Sequence, residues 1–139
     1  MFLPDEKYGL PHPPLYASMV AAGFPSPADD YMEGTLDLNE HLITHPAATF
    51  MVRVEGTSMT DSGILPGDLL IVDRSLESRP GHIVVAVING ELTVKRLLKT
   101  KNGWQLKAEN PDYPPTQIEP ESQCVIWGVV TGSVRRFTA

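Results

Sequence analysis

Two side chains in this sequence have the types and the setting for nucleophilic chemistry. Ser58 stands in Val54-Glu55-Gly56-Thr57-Ser58-Met59, where a β-forming run meets a glycine and the serine follows in a segment able to begin a helical turn. Such a turn exposes the hydroxyl, and its backbone N–H groups, that of Ser58 among them, can face an oxyanion developing on a bound carbonyl. Turn serines also serve as N-caps, so this hydroxyl needs a base before it means more. Lys95 is the candidate base. A lysine on a hairpin is ordinarily a solvated charge guarding a sheet edge. One held on an apolar face loses hydration most in its charged form, so its pKa falls and the neutral amine can accept a proton from a serine. Lowering it from about 10.4 to about 7 costs on the order of 4–5 kcal/mol, which the surrounding structure has to offset. Thr93, two residues earlier on the same strand face, is in position to hydrogen-bond that amine.

The other chemistry-bearing residues form no comparable set. Of the four histidines, His12 lies in a proline-rich start. His41 and His45 stand i, i+4 and read as solvated helix-face residues, because a zinc site would need ligands that the sequence does not offer. His82 opens a strand near Lys95 and is not expected to be catalytic. Asp29, Asp30, Asp61, Asp68 and Asp73 fall in turns and at strand ends, where carboxylates cap backbone donors. Cys124, inside QCVIWGVV, reads as core packing. No metal and no cofactor is expected.

The elements that must position Ser58 and Lys95 are strands. From residue 49 onward the chain consists of short β-rich runs, TFMVRV, DLLIV, HIVVAVI, ELTVKRLL, GWQLKA, QCVIWGVV and GSVRRF, separated by turn signals. The fold class is therefore mostly β. Asn89-Gly90 between two such runs predicts a two-residue type I′ hairpin, which opposes Ile88 to Glu91, Ala86 to Thr93, Val84 to Lys95 and His82 to Leu97. Lys95 thereby gains mostly apolar neighbours. Pro66-Gly67 predicts a tight turn into the strand that starts at Asp68.

The first part of the chain reads differently. Six of the 13 prolines fall at positions 4, 11, 13, 14, 25 and 27, which excludes a long helix there and makes residues 1–34 an N-terminal arm ahead of a β domain at 35–139. One helical turn over Tyr16 to Ala22 is compatible with this. Asp37, with Glu40 three residues on, predicts a short capped helix in which Leu38, Leu42 and Ile43 share a face before Pro46 stops it.

Composition sets the outer limits. At 139 residues and 42% hydrophobic, the chain can bury one sizeable core. Its net charge of -6 and lack of a Lys/Arg block argue against direct DNA binding. A single cysteine excludes an internal disulfide framework and fits a reducing compartment, so the cytoplasm is expected. No apolar run reaches membrane-spanning length, and the first residues do not read as a secretion signal.

Taken together, the Ser58 and Lys95 segments resemble the self-cleaving Ser-Lys peptidases of the LexA/UmuD family. Gly56-Thr57-Ser58-Met59, continuing as TDSGILPGDLLIVD, is similar to the family's nucleophile motif. Gly90-Glu91-Leu92-Thr93-Val94-Lys95-Arg96 is similar to its general-base hairpin, 37 positions after the serine. Val20-Ala21-Ala22-Gly23 resembles the self-cleavage sequence, cut between the small residue and the glycine. Small side chains there let the scissile carbonyl approach a nucleophile, and Pro25 and Pro27 discourage local helix. The resemblance spans residues 20–137.

The 22 residues ahead of that bond are too few for a helix-turn-helix domain like that of the LexA repressors, and GFPSPADDYMEGTLDLNEHLITHPAATFMV is similar to the UmuD-type branch and its plasmid-borne relatives. The resemblance implies catalytic roles for Ser58 and Lys95, cleavage between Ala22 and Gly23, and a compact peptidase domain of curved antiparallel sheets with one or two short helices. It further implies a homodimeric SOS-response protein whose contact with a RecA filament on single-stranded DNA promotes self-cleavage. The shortened form would join a UmuC-type Y-family polymerase subunit in error-prone translesion synthesis, with room for sliding-clamp contacts. Two features depart from the family: His82 follows Gly81 where an aspartate is more usual, and the first dozen residues match nothing. Two rival readings remain, a non-catalytic dimeric module that only presents its arm to polymerase partners, and a peptidase acting on other proteins in trans.

Overall fold

The computed structural model describes residues 12–16, 32–119 and 123–138. The chain divides into two compact units between His41 and Leu42. In the first, β1 (Pro14–Tyr16) pairs antiparallel with β2 (Met32–Thr35). The Leu36 amide extends this ribbon by donating to the Pro13 carbonyl at 2.8 Å. Tyr16 is thus a strand residue and not the start of a helical turn; the rest of the Tyr16 to Ala22 stretch lies outside the described residues. A short helix, α1 (Leu38–Leu42), follows, with the Asp37 carboxylate accepting from the Asn39 amide at 3.0 Å as the N-cap. Its apolar face is less covered than the pattern predicts, because no residue of α1 is buried.

The second unit is built on one antiparallel sheet of seven strands: β3 (Thr49–Arg53), β4 (Leu69–Asp73), β5 (Ile83–Ile88), β6 (Glu91–Thr100), β7 (Gly103–Lys107), β8 (Thr116–Gln117) and β9 (Cys124–Val134), in the spatial order β3-β4-β9-β5-β6-β7-β8. The mostly β class holds. Strand β5, Ile83-Val84-Val85-Ala86-Val87-Ile88, is apolar at every position because its alternating side chains feed two cores. Val85 joins Met59, Ile64, Leu70 and Val72, whereas Val84 and Ala86 join Leu97, Leu106 and Val129. Cys124 packs against the second cluster, as read, and burial pushes its thiol pKa up.

The hairpin behaves as its turn residues dictate. Asn89 and Gly90 both take positive φ, 49° and 85°, and the pairs Ile88–Glu91, Ala86–Thr93 and Val84–Lys95 are those expected. Pro66-Gly67 forms the predicted turn, closed by the Asp68 amide donating to the Leu65 carbonyl at 3.1 Å. The C-terminal runs differ from expectation: QCVIWGVV and the start of GSVRRF form a single strand, and Arg135 to Phe137 lie beyond its end.

Strand β9 is the element that curls the sheet. Its residues up to Val129 pair with β5, and those from Val129 onward pair with β4. Trp127 and Thr131 are skipped in these ladders, one bulge on each side, and bulges bend the strand and raise its twist. Gly128 sits where β9 lies close against β4. A Cβ there would stand 2.7 Å from Val72 Cγ1 and 3.0 Å from the Asp73 carbonyl oxygen, neither of which can retreat from a packed core.

Two buried carboxylates clamp the ends of β4. Asp68 receives Arg135 through Nε at 2.6 Å and Nη2 at 2.7 Å, and the Leu65 amide at 2.8 Å. The Arg135 hydrogen bonds hold its carboxyl below the usual range despite burial. Asp73 accepts from the Ser75 hydroxyl and amide and pairs with His45 Nδ1 at 2.6 Å. The Ser75 hydroxyl first, then His45, lowers its pKa to about 2. The capping role expected of these aspartates holds. His45 is exposed, as expected, but not on a helix face: the helix ends at Leu42, and the His45 ring pairs with Asp73.

Gly128→Ala is expected to destabilise the protein by about 1–3 kcal/mol through overpacking, measured as a lower midpoint in denaturant unfolding; an unchanged midpoint would show that β9 can move away from Val72.

Candidate functional site

The Ser58 turn begins where β3 can no longer pair. After Val54, whose amide donates to the Asp68 carbonyl at 2.8 Å, Gly56 adopts φ +83°, a left-handed conformation that side chains disfavour, and the chain reverses into a 3-10 turn at Thr60–Ser62. Buried Met59 pins this turn into the first core cluster. Its neighbour Ser58 is left half-buried at the wall of a cleft of about 530 Å³. One side of the cleft is Val52 to Ser58, and the other is Leu92 to Lys95 of β6.

Strands β3 and β6 are four places apart in the sheet order. In a flat sheet that is roughly 19 Å at about 4.8 Å per strand. Their meeting across one cleft is a direct consequence of the curl that β9 imposes. Lys95 Nζ reaches Ser58 Oγ at 3.0 Å. Lys95 is half-buried, and desolvation pushes its pKa below the ordinary lysine value. As an ammonium it donates to Ser58 Oγ; once neutral, the same contact runs in reverse and the hydroxyl donates to Nζ.

The remaining candidates fall elsewhere. Thr93 lines the cleft but makes no hydrogen bond to Lys95; residues two apart on a strand are about 6.6 Å from each other, too far for a hydroxyl to reach the end of the longer chain unless that chain folds back. His82 Nδ1 accepts from the Arg79 amide at 3.1 Å, which commits that nitrogen to the turn before β5 and away from Ser58 and Lys95. His12 pairs with Asp37 at 3.6 Å, and His41 lies on α1. Among the described residues no three His, Cys, Asp or Glu side chains converge as metal ligands, and no helix is long and apolar enough to cross a membrane. Ala22 and Gly23 lie outside the described residues.

Sequence reasoning missed the loop after β7. Asn110 donates to the Thr57 carbonyl at 2.9 Å, Tyr113 Oη lies 3.1 Å from Thr57 Oγ1, and the Asp61 amide donates to the Glu109 carbonyl at 2.8 Å. Glu109 in turn pairs with Arg96, the neighbour of Lys95 on β6. The loop therefore touches both halves of the site. Its only local signal was Asn110-Pro111, a turn dipeptide that says nothing about what the turn will contact.

The family described as Peptidase S24-like matches residues 14–131 of this chain. Protein MucA of Salmonella typhimurium is 48% identical over 122 residues, which are 87% of this chain and 83% of that protein. Protein ImpA of Salmonella typhimurium is 47% identical over 133 residues, 95% and 88% respectively. The LexA repressor of Delftia acidovorans is 42% identical over 136 residues, covering 93% of this chain and 60% of the repressor.

Burial disfavours the charged form of the Lys95 amine, so the residue costs stability whenever it is charged. Between its lowered pKa and the ordinary lysine value the unfolded chain binds more protons than the folded one, so this residue's contribution to stability rises with pH across that window. Lys95→Met should therefore raise stability near pH 7 by about 1 kcal/mol, with the gap to the parent closing as pH approaches the ordinary lysine value. Denaturant midpoints of both proteins across that pH range check it; a constant gap would contradict the desolvation account.

Proposed function

Because the chain belongs to the Peptidase S24-like family, we propose that it is a self-cleaving serine endopeptidase whose catalytic pair is Ser58 and Lys95 and whose target is its own Ala22–Gly23 bond. The observation that carries this reading is the 3.0 Å contact between a hydroxyl at the wall of a cleft and an amine biased by desolvation toward its neutral form.

The chemistry follows from those two groups. Neutral Lys95 accepts the Ser58 proton as Oγ attacks the Ala22 carbonyl carbon. The resulting oxyanion sits against the backbone N–H of Ser58, which has no acceptor among the described residues. Collapse breaks the bond to the Gly23 nitrogen, which takes the proton from Lys95 and leaves as the new N-terminus. Water, deprotonated by the same amine, then attacks the ester carbon; Ser58 is regenerated and Ala22 is released as a carboxylate. Extended substrate suits the cleft: β3 is an edge strand, and its Val52 and Arg53 line the wall, so backbone groups there are available to a peptide laid alongside.

The same reading carries the biological setting that the sequence resemblance implies. A homodimer meets a RecA filament on single-stranded DNA, the contact favours the cleavable arrangement of the arm by population shift, and the shortened chain joins a UmuC-type Y-family polymerase subunit for translesion synthesis in the cytoplasm. Relatives named MucA, ImpA and SamA support placing the chain in this branch.

Ser58→Ala and Lys95→Ala are each expected to abolish loss of residues 1–22, read as intact mass after incubation with a RecA filament near neutral pH or alone at alkaline pH. In the parent chain the unassisted rate should climb with pH and level off below the ordinary lysine pKa, since only the neutral amine works. Cleavage persisting in either variant, or a rate indifferent to pH, overturns the assignment.

A further inference from the structure

The amide that would receive the oxyanion belongs to the peptide plane between Thr57 and Ser58. In a planar trans peptide the carbonyl oxygen and the following N–H point in opposite directions, so whatever fixes the Thr57 carbonyl also aims the Ser58 N–H. That carbonyl accepts from Asn110 Nδ2 at 2.9 Å and from the Thr60 amide, on the turn itself, at a longer 3.3 Å.

We propose that Asn110 is a positioning residue for self-cleavage, holding the Thr57 carbonyl so that the Ser58 N–H is preorganised as the oxyanion donor; this rests on the Ser58–Lys95 reading above. Four observations converge on it. The orientation of the Asn110 amide is fixed by its surroundings, because Oδ1 accepts from the Asp112 amide at 2.9 Å and leaves only Nδ2 to face the Thr57 oxygen. The loop bearing Asn110 is itself fastened to the Ser58 turn at a second point, through the Asp61 amide and the Glu109 carbonyl at 2.8 Å. Tyr113, whose amide donates to the Asn110 carbonyl at 3.0 Å, adds a third through its hydroxyl and Thr57 Oγ1. Finally, neither Asn110 nor Tyr113 hydrogen-bonds Lys95 or the Ser58 hydroxyl, so the clamp acts on the backbone of the nucleophile turn and leaves the acid-base pair untouched. A hydrogen bond to a carbonyl also polarises the whole peptide unit and strengthens the N–H at its other end.

Two variants separate the effects: Asn110→Asp keeps an oxygen for the Asp112 amide and removes the donor to Thr57 but adds a charge, while Asn110→Ala removes both groups and adds none. With the full-length chain alone at alkaline pH, both variants should cleave about 10- to 100-fold more slowly than the parent, a fraction of what loss of an oxyanion donor costs. In Asn110→Ala, which adds no charge near Lys95, the pH at which the rate levels off should not move. Independently of any cleavage, the Ser58 backbone amide resonance in uncleaved Asn110→Ala protein should shift relative to the parent while the Lys95 signals stay in place. Parental rates in Asn110→Asp overturn the proposal. So does a slow rate in Asn110→Ala accompanied by a shifted pH midpoint, which would mean that the loop supports the Ser58–Lys95 pair and not the amide. If the parent itself fails to cleave, the Ser58–Lys95 reading falls first, and an unmoved Ser58 amide signal would then dispose of the positioning role as well.

Discussion

A lysine amine must be kept partly out of water within hydrogen-bond reach of a serine hydroxyl, and nearly everything in the second unit serves that contact. The two residues lie 37 positions apart and on elements that are not neighbours in the sheet. A flat sheet would leave them too far apart to touch. The bulged strand β9, pairing with β5 through one half and with β4 through the other, bends the sheet until β3 and β6 form two walls of one cleft. At Gly128 there is no room for a Cβ between β9 and Val72 of β4.

Holding a charged-or-neutral amine in such a place raises the free energy of the folded state, and compensation is visible around it. Met59, next to the serine, is anchored in a core that includes Val85 and Leu70. Asp68 and Arg135 tie the chain beyond β9 to the start of β4, and Arg135 Nη2 also donates to the Gly63 carbonyl at 2.7 Å, at the far end of the Ser58 turn. Buried ion pairs of this kind are modest sources of net stability but strong constraints on geometry, since breaking one leaves an uncompensated charge. The turn is thus gripped at Met59 by packing, at Gly63 by a guanidinium and at Thr57 by Asn110, with Ser58 between them.

Much of this was legible from local signals. Asn89-Gly90 dictates a two-residue turn, and that turn alone fixes which residue faces Lys95. Pro66-Gly67 and the acid at Asp37 act over four residues or fewer, so their outcomes follow from backbone preference. What escaped the sequence is whatever depends on distant segments meeting. Asp68 and Asp73 read as turn caps and are, but their burial depends on Arg135 and His45, 67 and 28 positions away. QCVIWGVV and GSV look like two strands because the bulge at Thr131 interrupts the alternation that would mark them as one. The loop at Glu109 to Tyr113 was silent for the same reason: its partners are selected by the curl of the sheet. The candidate pair was singled out by residue type and setting, but a turn serine and a hairpin lysine are each weak signals alone, and it was the resemblance of their two segments, 37 positions apart, to one family's motifs that joined them.

The most direct test of the central contact is the ionisation of the amine itself. Nuclear magnetic resonance titration of the Lys95 side chain in the uncleaved protein reads that quantity without reference to any reaction. The account predicts that Lys95 loses its proton below the ordinary lysine value. Lys95 titrating at the ordinary lysine value would contradict it.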